Sequence, residues 1–285
     1  MNRSGFVLGV LSLAMRPSGQ LVSTSQDRLA TIERRFGGRL GVVIWDTDDG
    51  ARVERRPHAR FALCSTFKWF AVAALLARVD KGLTHLGERV TYSRRDLLDY
   101  SPVTSAHVAD GSMSLGALCR AAICQSDNTA GNLILRAIGG PSGFTRYART
   151  LGDPLTRLDR TEPDLNEATP GDARDTTTPS AMMALMHEIL VGSVLSAPSR
   201  ALLLDWLRAS TTGAQRLRAG LPSSWVVGDK TGTGGHGETN DVAIARPPNR
   251  QPLLIAAYFA ESPAGRDARD AALAQVGQVA AQLVR

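Results

Sequence analysis

Strand-type patterning is confined to the two ends of this chain, and the stretch between them is patterned as helix. Near the N-terminus, Leu40 to Trp45 and Ala51 to Arg56 read as strands around Asp48-Asp49-Gly50, a hairpin-type turn. After Pro222 the strand period returns at Trp225 to Lys230, Asp241 to Ala245 and Leu253 to Phe259. Between these ends lie Leu115 to Cys124, Thr129 to Ile138, Ser142 to Leu151, Ser180 to Val191 and Ser199 to Arg208, all helical in pattern. That order argues against a parallel βαβ series. It predicts an α+β/α fold in which one antiparallel sheet of about five strands is assembled from both ends. Two terminal helices flank it: one opens on a capping-box pattern at Thr24 with Asp27 and ends at Gly37-Gly38, the other runs from Gly265 to Val284. Residues 23–63 with 210–285 are expected to form this α/β domain, and 64–209 an inserted all-helical domain, with a cleft between them as the natural place for a site.

At 285 residues, 43% of them apolar and 21% charged, the chain is long enough for a full core. Its formal charge of +6 comes from scattered arginines, with no basic patch interleaved with aromatics. Nucleic acid is therefore not an expected partner, and a small anionic substrate explains the excess charge as well. Cys119 and Cys124 fall in one helical stretch, roughly 140° apart around its axis, so they should not bridge each other. Cys64 has no obvious partner, and three buried free thiols are expected. The five histidines show no ligand-type spacing, which disfavours a metallo-enzyme.

The N-terminus has a positive start at Arg3, a short apolar run from Phe6 to Leu13 and small residues at Ser12 and Ala14. It reads as a short signal peptide within a flexible segment, residues 1–22, which implies a periplasmic or secreted protein. No other stretch approaches the length of a membrane span, so stable membrane insertion is not expected.

Chemistry concentrates first at Cys64-Ser65-Thr66-Phe67-Lys68, where an extended apolar run meets Trp69 to Leu76, a helix apolar on nearly all sides and hence buried. This puts Ser65 in a helix's first turn, where unpaired N–H groups favour developing negative charge. Lys68 lies one turn later on the same face, within reach of the Ser65 hydroxyl. Three further stretches are each unremarkable alone. Ser126-Asp127-Asn128 looks like an N-cap loop, Lys230-Thr231-Gly232-Thr233 ends a strand, and Glu162-Pro163-Asp164-Leu165-Asn166 lies in a polar loop. The strand-end stretch has a functional reading too: Gly232 would let a ligand approach the strand edge while Lys230 and the threonines bind an anion.

In this order, S-x-x-K, S-D-N, E-x-x-L-N and K-T-G, the four stretches resemble the signature of the class A serine β-lactamases. The likeness covers residues 24 to 284, including Tyr100-Ser101-Pro102-Val103-Thr104 and Arg216-Leu217-Arg218-Ala219-Gly220. It implies the penicillin-recognising fold and hydrolysis of the β-lactam amide through an acyl-enzyme, without a cofactor, by a monomer whose partner is the small-molecule β-lactam. It assigns Ser65 as nucleophile, with the backbone N–H groups of Ser65 and Thr233 as oxyanion hole. Lys68 or Glu162 takes the first proton, and Ser126 passes it to the lactam nitrogen. Asn128 would hold the substrate's side-chain amide, Tyr100 would wall the cleft, and Lys230, Thr231, Thr233 and Arg216 would receive the carboxylate. Glu162, with Asn166, would activate the water that hydrolyses the ester. The resemblance also implies a cis Glu162-Pro163 bond and an Arg160–Asp175 ion pair at the loop's neck.

Two departures matter. The family's helix-to-helix disulfide should be absent, since Cys119 is matched by Val72 at the partner position, and the bridge of a carbapenem-hydrolysing subset should be absent because Cys64 is matched by Gly234. Weak carbapenem turnover is the expectation. The rival readings are a D-Ala-D-Ala peptidase, which needs no Glu162 to clear an ester, and a non-catalytic β-lactam receptor that stays acylated.

Overall fold

The computed structural model describes residues 18–284. The proposed leader lies mostly outside these residues. The chain begins with α1 (Ser18–Phe36), β1 (Arg39–Asp46), β2 (Arg52–Arg55), β3 (Phe61–Ala62) and α2 (Phe67–Asp80). The ribbon strands β4 (Arg89–Thr91) and β5 (Ser112–Ser114) precede α3 (Leu115–Cys124), α4 (Asn128–Ala137) and α5 (Gly140–Thr150). After β6 (Thr176–Thr177) come α6 (Pro179–Met186), prolonged by a π-helical turn His187–Val191, then α7 (Ala197–Arg208) and the short α8 (Leu217–Gly220). The chain closes with β7 (Val226–Thr233), β8 (Thr239–Arg246), β9 (Leu253–Ala260) and α9 (Arg266–Leu283).

The five-stranded sheet has the order β2-β1-β9-β8-β7, every pair antiparallel. Its central strand is the last to be made, so β1 from one end of the chain is zipped to β9 from the other, with Val43 opposite Ala256. All eight residues of β9 are buried because both faces of the sheet are covered. Leu253, Ile255, Ala257 and Phe259 point into a core shared with Leu29 and Ile32 of α1 and Leu273, Val276 and Val279 of α9. Their alternates Leu254, Ala256 and Tyr258 point the other way, into a core continuous with α2, α3, α4, α6 and α7. Helix α2 runs through the middle of that second core and is buried at every residue from Phe67 to Ala77, as its all-round apolar pattern requires.

Three expectations change. Helix α1 starts at Ser18 and takes in residues 18–22, so Thr24 lies within it and not at its cap. The stretch expected to be all-helical also contains the β4–β5 ribbon and the strand β6, which pairs with β3 just ahead of the Ser65 turn. The helix after Ser65 begins at Phe67; Ser65 itself lies in a preceding 3-10 turn, Cys64–Thr66.

Candidate active site

The Ser65 turn is held from three sides. Leu63 N donates to Asp175 O at 2.8 Å, Asn240 Nδ2 on β8 donates to Ala62 O at 2.9 Å, and Thr66 Oγ1 donates to Leu63 O at 2.6 Å. Cys64 takes φ +44°, a left-handed conformation uncommon for a residue with a side chain. This kink turns the chain from β3 into α2 and aims Ser65 at the cleft. Gly232 on β7 makes it possible in a way different from the expected ligand approach: a Cβ there would lie 3.0 Å from Leu63 O and 3.1 Å from Cys64 Cβ. Its missing side chain admits the serine turn against the sheet edge, while its backbone still lines the cleft.

Around the Ser65 hydroxyl the four stretches converge. Lys68 Nζ donates to Ser65 Oγ at 2.9 Å, and Ser65 Oγ donates to Glu162 Oε1 at 3.2 Å. Lys68, its side chain inaccessible to solvent, also reaches Glu162 Oε1 at 2.9 Å, Ser126 O at 2.9 Å and Asn128 Oδ1 at 2.6 Å. Burial pulls its pKa below that of an ordinary lysine, and the Glu162 carboxylate partly restores it. Ser126 stands between the two lysines: Lys230 Nζ donates to its Oγ at 2.9 Å and Lys68 Nζ lies 3.5 Å away. Lys230 is fully buried on β7 and also donates to Thr231 O at 2.8 Å.

Glu162, 2% exposed, follows the same logic of a polar group held from all sides. Asn166 Nδ2 donates to its Oε2, and the Glu162–Pro163 peptide is cis. Asn132 on α4 brackets its backbone, accepting from Glu162 N at 3.0 Å and donating to Glu162 O at 2.9 Å. The loop's neck is closed by Arg160 Nε on Asp175 Oδ2 at 2.6 Å, as the resemblance implied.

In front of Ser65 opens a cavity of about 300 Å³. Tyr100, 52% exposed, stands on its rim, and Asn128, Asn166, Thr231 and Thr233 face into it. Arg216 is 3% exposed and lies under the β7 edge, donating to Gly232 O at 2.8 Å, Asn240 O at 2.9 Å and Thr233 Oγ1 at 2.9 Å, with Asp270 on α9 as its counter-ion at 2.7 Å. All twelve residues singled out in the sequence, Ser65, Lys68, Tyr100, Ser126, Asn128, Glu162, Asn166, Arg216, Lys230, Thr231, Gly232 and Thr233, thus meet at one cleft.

Several neighbours carry no readable sequence signal. Thr212 bonds Thr231 Oγ1 at 2.6 Å and lines the cleft, as does Arg266 at the start of α9. Asn132 is the most consequential omission; its only hint is that it lies one helical turn after Asn128, on the same face. The three cysteines are free and buried, and Cys64 Sγ lies 3.0 Å from where a Gly234 Cβ would be, so these two positions do adjoin.

The comparisons with known proteins agree along nearly the whole chain. The profile of the Beta-lactamase enzyme family matches residues 24–284. The β-lactamase CTX-M-25 of Escherichia coli is 46% identical over 94% of this chain and 92% of its own length. The β-lactamase FAR-1 of Nocardia farcinica is 47% identical over 90% of this chain and 82% of its own. Among solved structures, an ancestral class A β-lactamase is 55% identical, superposes with a TM-score of 0.88, and is matched over 90% of this chain and 98% of its own. With a serine, two lysines and a carboxylate gathered at one cleft and likeness of this extent, the chain belongs to the class A serine β-lactamase family.

Proposed function

We propose that this β-lactamase opens its substrate through an ester on Ser65 and clears that ester with Glu162. In acylation the Ser65 oxygen bonds to the lactam carbonyl carbon and the ring C–N bond breaks. The hydroxyl proton has two acceptors within reach, the Glu162 carboxylate and the Lys68 amine in its neutral form. Ser126, which accepts from Lys230, gives its proton to the departing lactam nitrogen and is reprotonated through Lys68, 3.5 Å away, with the proton taken from Ser65, which leaves Glu162 ionised for the next step. The substrate carboxylate goes to Lys230, Thr231, Thr233 and Arg216. β7 supports this binding because, as the sheet's edge strand, it has backbone groups outside any ladder. In deacylation Glu162 takes a proton from water, the water oxygen bonds to the ester carbon, and the Ser65 oxygen leaves and is reprotonated.

The observation that carries this reading is the position of Glu162: a buried carboxylate within hydrogen-bonding range of both the nucleophile and the Asn166 amide. A D-Ala-D-Ala peptidase or a β-lactam receptor has no need of that group. Glu162→Ala is expected to react with benzylpenicillin and keep the adduct on Ser65 in intact-protein mass spectrometry, while the parent protein clears it within a turnover. Equal clearance by both would refute the assignment.

The N-terminal pattern supports a periplasmic or secreted site of action, tested by the mass of the protein recovered from a periplasmic extract. We take the working unit to be a monomer, to be checked by sedimentation.

A further inference from the structure

The loop that carries Glu162 and Asn166 is packed beneath for only part of its length. Residues 168–174 arch over a cavity of about 260 Å³, whose opposite wall includes Phe61, Ala62, Glu238 and Ala260. What fastens the loop on its cleft side is the turn between β7 and β8. Gly235 N donates to Asn166 O at 3.2 Å, and His236 Nδ1 lies 2.7 Å from Glu167 O. A carbonyl oxygen only accepts, so in this contact the imidazole proton sits on Nδ1. The turn is itself shaped by Glu238, 2% exposed, whose Oε2 accepts from His236 N at 2.7 Å and whose backbone oxygen accepts from Gly234 N at 3.2 Å. Glu261 N, just past β9, donates to His236 O at 3.1 Å and pins the turn to the sheet.

We propose that His236 and Glu238 are positioning residues for deacylation: the turn they shape clamps Asn166 and Glu167, and through Asn166 fixes the Glu162 carboxylate over the ester. The inference rests on the reading of Glu162 as the deacylating base. Acylation has a second proton acceptor in Lys68, 2.9 Å from Ser65 Oγ, whereas deacylation as proposed relies on Glu162 alone, so the clamp acts chiefly on the second half of the reaction. Selectivity for one half-reaction is what separates positioning from mere support of the fold.

The test uses the full chain with benzylpenicillin, and rapid-quench mass spectrometry to time the appearance and loss of the Ser65 adduct. His236 is exposed, so its replacement leaves the core untouched. His236→Phe keeps a ring but no donor, and is expected to deacylate about tenfold more slowly, the effect of one hydrogen bond. Its acylation should stay within about twofold of the parent, so that KM falls together with kcat. His236→Gln, which restores an N–H donor, should recover most of the loss. Glu238→Ala should resemble His236→Phe, and Glu238→Gln, which keeps an acceptor oxygen, should resemble the parent. Deacylation at the parent rate in His236→Phe would overturn the inference, as would equal slowing of both steps or a His236→Gln protein as slow as His236→Phe. Glu162→Gln run alongside separates the layers: a persistent adduct there with normal clearance in His236→Phe removes the clamp alone, and clearance in both removes the reading beneath it.

Discussion

Lys230 is a residue whose charge depends strongly on its surroundings. Burial first, and then the nearby Lys68 ammonium, lower its pKa to about 7, well under that of a lysine in water. The sign follows directly: below about pH 7 Lys230 is cationic and, in the proposed binding mode, would attract the substrate carboxylate, and as pH rises through 7 that charge is lost. A bound carboxylate favours the protonated form, so binding at higher pH must recruit a proton. KM for a penicillin is therefore expected to rise above pH 7 by up to about tenfold per unit. In Lys230→Arg, whose guanidinium does not deprotonate, KM should stay level over the same range. A parent KM that is flat to pH 9 would remove Lys230 from the carboxylate site. The lysine itself was plain in the sequence as the start of K-T-G. Its titration near neutrality was not, because that comes first from burial in the folded protein and then from Lys68, which lies far away in the chain.

Helix α4 shows how an element can place several site residues at once. Its N-cap, Asp127, is fully buried between Ser126 and Asn128 and accepts four bonds: Ala130 N at 2.8 Å, Val103 N, Thr104 N and Thr104 Oγ1 each at 2.9 Å. The cap thus fixes α4 to the segment bearing Tyr100, whose carbonyl accepts from Asn128 N at 2.8 Å. Asp127→Ala would leave four donors unpaired in a closed environment, at a cost of about 3 kcal/mol. Urea melts would show it, and a loss below about 1 kcal/mol would mean water can replace the carboxylate. Much of this was legible: S-D-N reads as a cap loop, and the long helices and central strands announce themselves by period. The strands β3 and β6, two residues each, and β4 and β5, three each, have no period to read. They exist because distant backbone groups meet. Likewise α1 runs through the local cap signal at Thr24 and packs Leu29 and Ile32 into the core beside the sheet, which the cap signal does not report. The second role of Gly232, admitting the serine turn close to its backbone, was not legible either, since that turn lies far away in the chain.

On the scale of the whole molecule, the last elements of the chain hold the site together from behind the cleft. β9 and α9, the last elements made, supply the central strand and the cover of one sheet face, and Asp270 of α9 is the counter-ion of Arg216 under the β7 edge. Leu273, Val276, Val279 and Leu283 are almost wholly buried against Leu40, Val42, Ile44 and Ile255. At about 1.5–3 kcal/mol for each large apolar side chain, these four contribute roughly 6–12 kcal/mol, as much as the whole net stability of a typical domain. Removing α9 should therefore abolish folding and not merely weaken it. A chain ending at Gly265 is expected to accumulate in the insoluble fraction, to show no cooperative thermal transition and to leave a chromogenic cephalosporin intact. The decisive comparison is with Leu273→Ala, which keeps the helix and should stay folded with a loss of about 2–5 kcal/mol. If the truncated chain were soluble and active, the sheet face beneath α9 would have to be stable in water, and the cleft would owe its geometry to the helical insertion alone.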